Sequence, residues 1–152
     1  MKFVVDCMLG SLAKWLRILG YDAAYWPHAD DRELVRVARA EGRTLVTRDV
    51  ELSRSRNVDT ILIQSQRLEQ QLRQMFQEAR LPQAERFSRC PTCNGVLEPV
   101  DVEAVADRIP PYVAKTQPRF HRCLNCGKVY WPGTHWQAIE RWLRDVLQHS
   151  GE

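Results

Sequence analysis

Four of the chain's five cysteines come in two pairs of one spacing, Cys90-Pro-Thr-Cys93 and Cys123-Leu-Asn-Cys126, with twenty-nine residues between the pairs. A two-residue spacer lets both sulfurs of a turn face one point, and four such thiolates fill the tetrahedral shell of a structural zinc ion. Gly95 and Gly127 follow the two turns and allow them to be tight. Cys90, Cys93, Cys123 and Cys126 are therefore the expected metal ligands of a small ribbon, with a few antiparallel strands between its turns. Iron held as in rubredoxin takes the same four ligands, and spacing alone does not separate the two metals. Cys7 lies outside the pattern and reads as a small buried hydrophobe after a strand. His28, His121, His135 and His149 show no ligand spacing.

A second set of residues with chemistry in them is dispersed along the first third of the chain: Asp6, Asp31 and Asp49. Each has a plain structural use, Asp6 in ending a strand, Asp31 and Asp49 in capping helices. Their joint position says more. Three carboxylates at one edge repel one another unless a cation lies between them. An oxygen-rich cluster of this kind favours magnesium or manganese. Such an ion activates water and stabilises charge on a phosphodiester.

The elements that would bring these acids together can be read from the apolar pattern. Lys2–Asp6, Asp22–Trp26, Arg43–Thr47 and Asp59–Gln64 read as strands. Between them lie helix-spaced stretches: Ser11–Leu19, with Leu12, Trp15, Leu16 and Leu19, and a second starting at Asp31, with Leu34, Val35 and Ala38. Gln66–Arg80 is amphipathic. Strand and helix in alternation imply a parallel sheet with helices on both faces, which binds ligands at the carboxyl ends of its strands. Asp6 and Asp49 fall at those ends, and Asp31 starts a helix on the same side. Pro82 breaks the pattern, and a boundary is expected near residues 81–86. Residues 87–132 change to Gly, Pro and Cys punctuation. Thr134–Gln148 is helical again, with Trp136, Ile139, Trp142, Leu143 and Val146 on one face, and is expected to pack on the first unit or the ribbon.

With 152 residues, 44% hydrophobic and 27% charged, the chain suits a globular protein with a real core. A net charge of +3 permits a nucleic-acid partner without demanding one. Asp6 interrupts the apolar start too early for a secretory signal, and no window approaches the roughly 18 apolar residues of a membrane span. A cytoplasmic protein with no membrane partner is expected. In that compartment thiols stay reduced, which again favours metal over disulfides.

Phe3-Val4-Val5-Asp6-Cys7-Met8-Leu9-Gly10-Ser11-Leu12-Ala13-Lys14-Trp15-Leu16-Arg17-Ile18-Leu19-Gly20 resembles the opening of the Mut-seven C-terminal RNase family, a branch of the PIN-like nucleases. The likeness continues at Asp31 before Glu33-Leu34, in Gly42-Arg43-Thr44-Leu45-Val46-Thr47-Arg48-Asp49, in the four cysteines, and in Gly127-Lys128-Val129-Tyr130-Trp131-Pro132-Gly133-Thr134-His135. It runs from about residue 2 to residue 147. The resemblance implies an α/β fold: a PIN-like nuclease domain over residues 1–82, a four-cysteine zinc ribbon over 87–132 and a C-terminal helix over 133–149. It also implies metal-dependent cleavage of RNA, with Asp6, Asp31 and Asp49 as the catalytic acids. PIN nucleases usually bring a fourth acid; Asp30, Glu33 and Glu51 all stand near enough to supply it.

From Arg108 to Ile139 there is no acid, while Arg108, Lys115, Arg119, Arg122 and Lys128 alternate with Tyr112, Phe120, Tyr130, Trp131 and Trp136. Cations beside rings suit single-stranded RNA, and the same rings suit the core of a small module. Arg119 and Arg122 are candidate RNA contacts there. Lys14, Arg17 and Arg48 are candidates beside the acids. Two further functions compete: a non-catalytic RNA- or ribosome-binding protein with a vestigial acid site, and a phosphoacceptor receiver. The receiver needs a lysine after its fifth strand, and none is suitably placed. An aspartyl phosphatase needs a second Asp where Met8 stands.

Overall fold

β1 (Lys2–Val5), β2 (Asp22–Tyr25), β3 (Thr44–Thr47) and β4 (Thr60–Leu62) form one parallel sheet in the order β2-β1-β3-β4. The computed structural model describes residues 1–81, 84–133 and 136–148. Of the residues singled out in the sequence, Pro82, Thr134, His135, His149 and the side chain of Trp136 lie outside that description.

Strand side chains alternate between faces, so each strand feeds two cores. Phe3 and Val5 of β1 meet Leu12 and Leu16 of α1 (Gly10–Ile18) and Leu72 and Met75 of α4 (Leu68–Glu78). Val4 points the other way, into Leu34, Val37 and Ala38 of α2 (Asp31–Glu41) and Leu52 of α3 (Val50–Ser53). The C-terminal helix α7 (Trp136–Gln148) returns to the first core through Leu143 and Val146, both buried. Each such side chain contributes about 2 kcal/mol by leaving water. Trp142 lies 4.8 Å from Trp15, ring centre to ring centre. Of the two packing sites open to this helix, it takes the sheet.

The cysteine-bearing segment forms a second, antiparallel sheet, β5 (Leu97–Val100), β6 (Phe120–Cys123) and β7 (Val129–Tyr130). Here the sequence reading needs correction. The long interval between the cysteine pairs is not all strand: it holds two short helices, α5 (Val102–Val105) and α6 (Pro111–Thr116). Val105 of α5, Ile109 in the extended link after it and Val113 of α6 meet Phe120 in a small core of their own. Pro111 starts α6, where its fixed φ is preorganised and its missing N–H is not needed.

One carboxylate ties the two sheets together. Asp22 opens β2, whose outer edge has no strand partner among the described residues. Asn94, in the first cysteine turn, covers that edge: its Oδ1 accepts from Ala23 N at 3.0 Å and its Nδ2 donates to Asp22 Oδ1 at 2.7 Å. Arg43 Nη1 donates to the same oxygen at 2.7 Å, and Arg89 stands 3.8 Å from the other. Burial works to raise the Asp22 pKa, but the hydrogen bonds from Arg43 and Asn94 and the nearby cations outweigh it and hold it below the ordinary value. A depressed carboxylate stabilises the fold above its unfolded pKa of about 3.9, and that stability is lost as pH falls through the folded value. We expect Asp22→Asn to lose about 2 kcal/mol at neutral pH. The gap to wild type should close as acid is added. Thermal melts across pH check this; equal stability at neutral pH would show that the hub carries no weight.

Candidate active site

β1 and β3 are neighbours in register, so their carboxyl ends meet. Asp6 follows β1 directly and its backbone N donates to Val46 O of β3 at 2.9 Å. Its side chain is only 3% exposed, and Oδ2 accepts from the buried Thr47 hydroxyl at 2.7 Å. Thr47 Oγ1 in turn accepts from Asp49 N at 2.9 Å. One hydroxyl thus fixes the carboxylate of Asp6 and the backbone of Asp49. Thr47 is a site residue that the acids alone do not reveal; its signal in the sequence is a hydroxyl ending a strand two residues before an acid. Asp49 Oδ1 caps α3, accepting from Glu51 N and Leu52 N at 2.9 and 3.2 Å.

Asp31 differs from its expected place by one residue. The cap of α2 is Asp30, whose Oδ1 accepts from Glu33 N at 2.9 Å. Asp31 is the first helical residue, and among the described residues its carboxylate makes no hydrogen bond or ion pair. Partial desolvation first, then the charges of Asp49, Asp6 and Asp30, raise its pKa. Asp31 thus lies within electrostatic reach of both Asp6 and Asp49. Glu51 and Asp31 line one groove between α2 and α3.

The three acids are near but not closed. Among the described residues, only the four cysteines gather three or more such ligand atoms all within 4.8 Å of each other. A looser carboxylate edge still suits magnesium, which keeps several waters and is held by one or two carboxylates.

The cysteine cluster passes a stricter test. Zinc at about 2.3 Å from four sulfurs needs them roughly 3.8 Å apart. Cys90 and Cys126 stand 3.7 Å apart, Cys93 and Cys123 3.4 Å. Cys123 Sγ accepts N–H bonds from Asn125 and Cys126, and Cys93 Sγ accepts from Gly95 N and Asn125 Nδ2. Burial opposes charge on Cys93, yet the donors around it, Asn125 first, bring its thiol down to about 6. A Cβ on Gly95 would come within 2.8 Å of Cys123 Sγ, so only glycine fits behind the cluster. His121 is no ligand; its ring stacks 6.4 Å from Phe87.

The remaining candidates are dispersed. Cys7 is exposed, not buried as the sequence reading had it; the chain turns outward after Asp6, and Cys7 O accepts from Tyr25 OH at 2.8 Å. Lys14 is exposed on α1. Arg48 has a buried Nε with no hydrogen-bond partner among the described residues. Arg17 is 5% exposed and spans to the ribbon, donating to Ala23 O at 2.8 Å and Pro91 O at 3.1 Å. Arg122 pairs with Glu98 across β5 and β6 at 3.1 Å. Arg119 is exposed. Of the ring set, Phe120 is core beside Trp131, Tyr130 OH meets Cys90 Sγ at 3.0 Å, and Tyr112 is 66% exposed. The rings mainly build the ribbon.

A family model described as the Mut7-C RNAse domain matches residues 1–143. The human protein named exonuclease mut-7 homolog is 35% identical over 103 residues, covering 61% of this chain. The chain spans 12% of the length of that relative. No solved structure matches the chain. No helix among the described residues is long and apolar enough to cross a membrane.

Proposed function

The chain belongs to the Mut7-C RNAse domain family, and from that premise we propose that it hydrolyses RNA phosphodiester bonds with magnesium or manganese at the edge formed by Asp6, Asp31 and Asp49. The observation that carries this reading is the uncompensated charge there. Asp6 is buried and held by Thr47, and Asp31 has its pKa raised in part by Asp49 and Asp6. Asp6 and Asp49 also serve the fold, but Asp31 caps nothing, and a cation between the three would relieve the repulsion it feels.

Asp6 and Asp49 would hold the cation, Asp31 would bind it directly or through water, and Glu51, which lines the same groove as Asp31, would be the fourth acid. When bound, the cation supplies an activated water and charge stabilisation at the scissile phosphate. Half-buried Arg48, next to Asp49, and exposed Lys14 and Arg119 add positive charge for the strand. Arg17 and Arg122 are already engaged and hold the frame. In this reading residues 1–82 carry the chemistry, residues 87–132 form a ribbon that would hold one structural zinc, and the C-terminal helix, expected over 133–149, joins the first core through Leu143 and Val146. Reduced thiols at the ribbon suit the cytoplasm.

Purified protein incubated with mixed structured and unstructured RNAs should cleave with manganese or magnesium and stop with chelator. Activity should return on adding back magnesium or manganese but not zinc. RNA binding without cleavage under every metal condition would replace this reading with that of a binding protein.

A further inference from the structure

A groove of about 800 Å³ runs between α2 and α3, starting at the acids Asp31 and Glu51. One wall carries Arg32, Arg36 and Arg39 of α2. Arg39 is engaged: Nε and Nη2 donate to Arg56 O at 3.2 and 2.6 Å, tying the loop after α3 to the groove's far end. Arg32 and Arg36 are exposed, and among the described residues neither makes a hydrogen bond or ion pair.

Helix stability does not account for these two cations. Arg32 sits in the first turn of α2, where the macrodipole favours an acid. Its neighbour four residues on is Arg36, and like charges at that spacing weaken a helix by a few tenths of a kcal/mol, roughly 0.2–0.5. Glu33, three residues before Arg36, makes no ion pair with it among the described residues. The repulsion is offset when an anion lies along the wall. The two arginines are one turn apart, about 6 Å along the axis, a step comparable with that between successive phosphates of an extended strand.

We propose that the groove between α2 and α3 is the track for single-stranded RNA at the acidic edge, with Arg32 and Arg36 each gripping one backbone phosphate. The inference rests on the nuclease reading, since it takes the acids as the place where the strand is cut. Half-buried Val35 lines the same groove and offers an apolar surface to the sugars. Arg39 holds the wall in place. The grip is on phosphate, so the track reads no sequence.

The test is binding to the full chain with magnesium and manganese omitted, so that no strand is cut. The probe is a fluorescent single-stranded RNA of about twelve nucleotides, read by anisotropy across salt. Each lost phosphate contact lowers the log–log salt slope by about 0.7, so R32A/R36A should lower it by about 1.4 and weaken binding roughly tenfold. R32K/R36K should keep most of the slope, since lysine serves as a point charge for phosphate. R141A/R144A, two exposed arginines on α7, removes the same charge elsewhere and should change neither quantity. Unchanged affinity and slope in R32A/R36A would overturn the track. So would an equal loss in R141A/R144A, or a wild type that binds no single-stranded RNA. A wild type that binds through these arginines but never cleaves would refute the nuclease reading and leave the track standing.

Discussion

Asp6→Asn is expected to lower RNA cleavage by about a thousandfold or more while leaving the chain folded. Asparagine has the shape of aspartate and keeps an oxygen to accept the Thr47 hydroxyl, which lies 2.7 Å from Asp6 Oδ2. The backbone bond from Asp6 N to Val46 O does not depend on the side chain. What goes is one negative charge at a site 3% exposed, where water screens little. A second readout separates loss of charge from loss of shape. Asp6 is among the charges that raise the Asp31 pKa, so that pKa should move down in the variant. Titration of Asp31 by NMR checks it without reference to activity. Wild-type cleavage by Asp6→Asn would assign the activity to another site or to a contaminant.

The features of this molecule that were legible in sequence are those set by one period or one spacing. Four apolar runs, each ending near an acid or a turn, gave four strands, and parallel order followed because helices separate them. What sequence did not carry was direction over distance. Arg17 is seven residues past the start of α1, roughly 10 Å along its axis, and α1 runs back from the acidic edge. It therefore belongs to the opposite end of the sheet, where it meets the ribbon. The helical period already marked it as inward, since it falls on the face of Ala13 and Leu16. Asp30 and Asp31 could not be told apart as caps, because either can accept from a backbone N–H one turn on and a one-residue slip changes no pattern. That slip matters chemically, because it leaves the Asp31 carboxylate with no cap to make and, among the described residues, no hydrogen bond. The aromatic residues of the ribbon had two uses in sequence, and a small module without another source of apolar area takes them for its core.

Cys123→Ser is expected to abolish stoichiometric zinc binding and unfold residues 87–132. Cys123 is 2% exposed and, besides facing the other three sulfurs, accepts two backbone N–H bonds. A serine oxygen is a poor thiolate substitute for zinc and sits short of the same point. Binding at such sites is coupled to folding and reaches on the order of 10 kcal/mol of apparent free energy, far more than the small cores around Val105 and Leu97 can replace. The damage should not stop at the ribbon. Asn94 lies in the first cysteine turn, next to Cys93, and it covers the open edge of β2 through Ala23 N. Arg17 reaches the same turn through Pro91 O. When the turn loses its metal, Ala23 N loses its acceptor, while Val46, between β1 and β4, keeps its strand partners. Hydrogen exchange should therefore rise sharply at Ala23 and little at Val46, with elemental analysis giving no zinc. A variant with wild-type metal content, or with Ala23 as protected as before, would show that the cysteine turn does not hold the sheet edge.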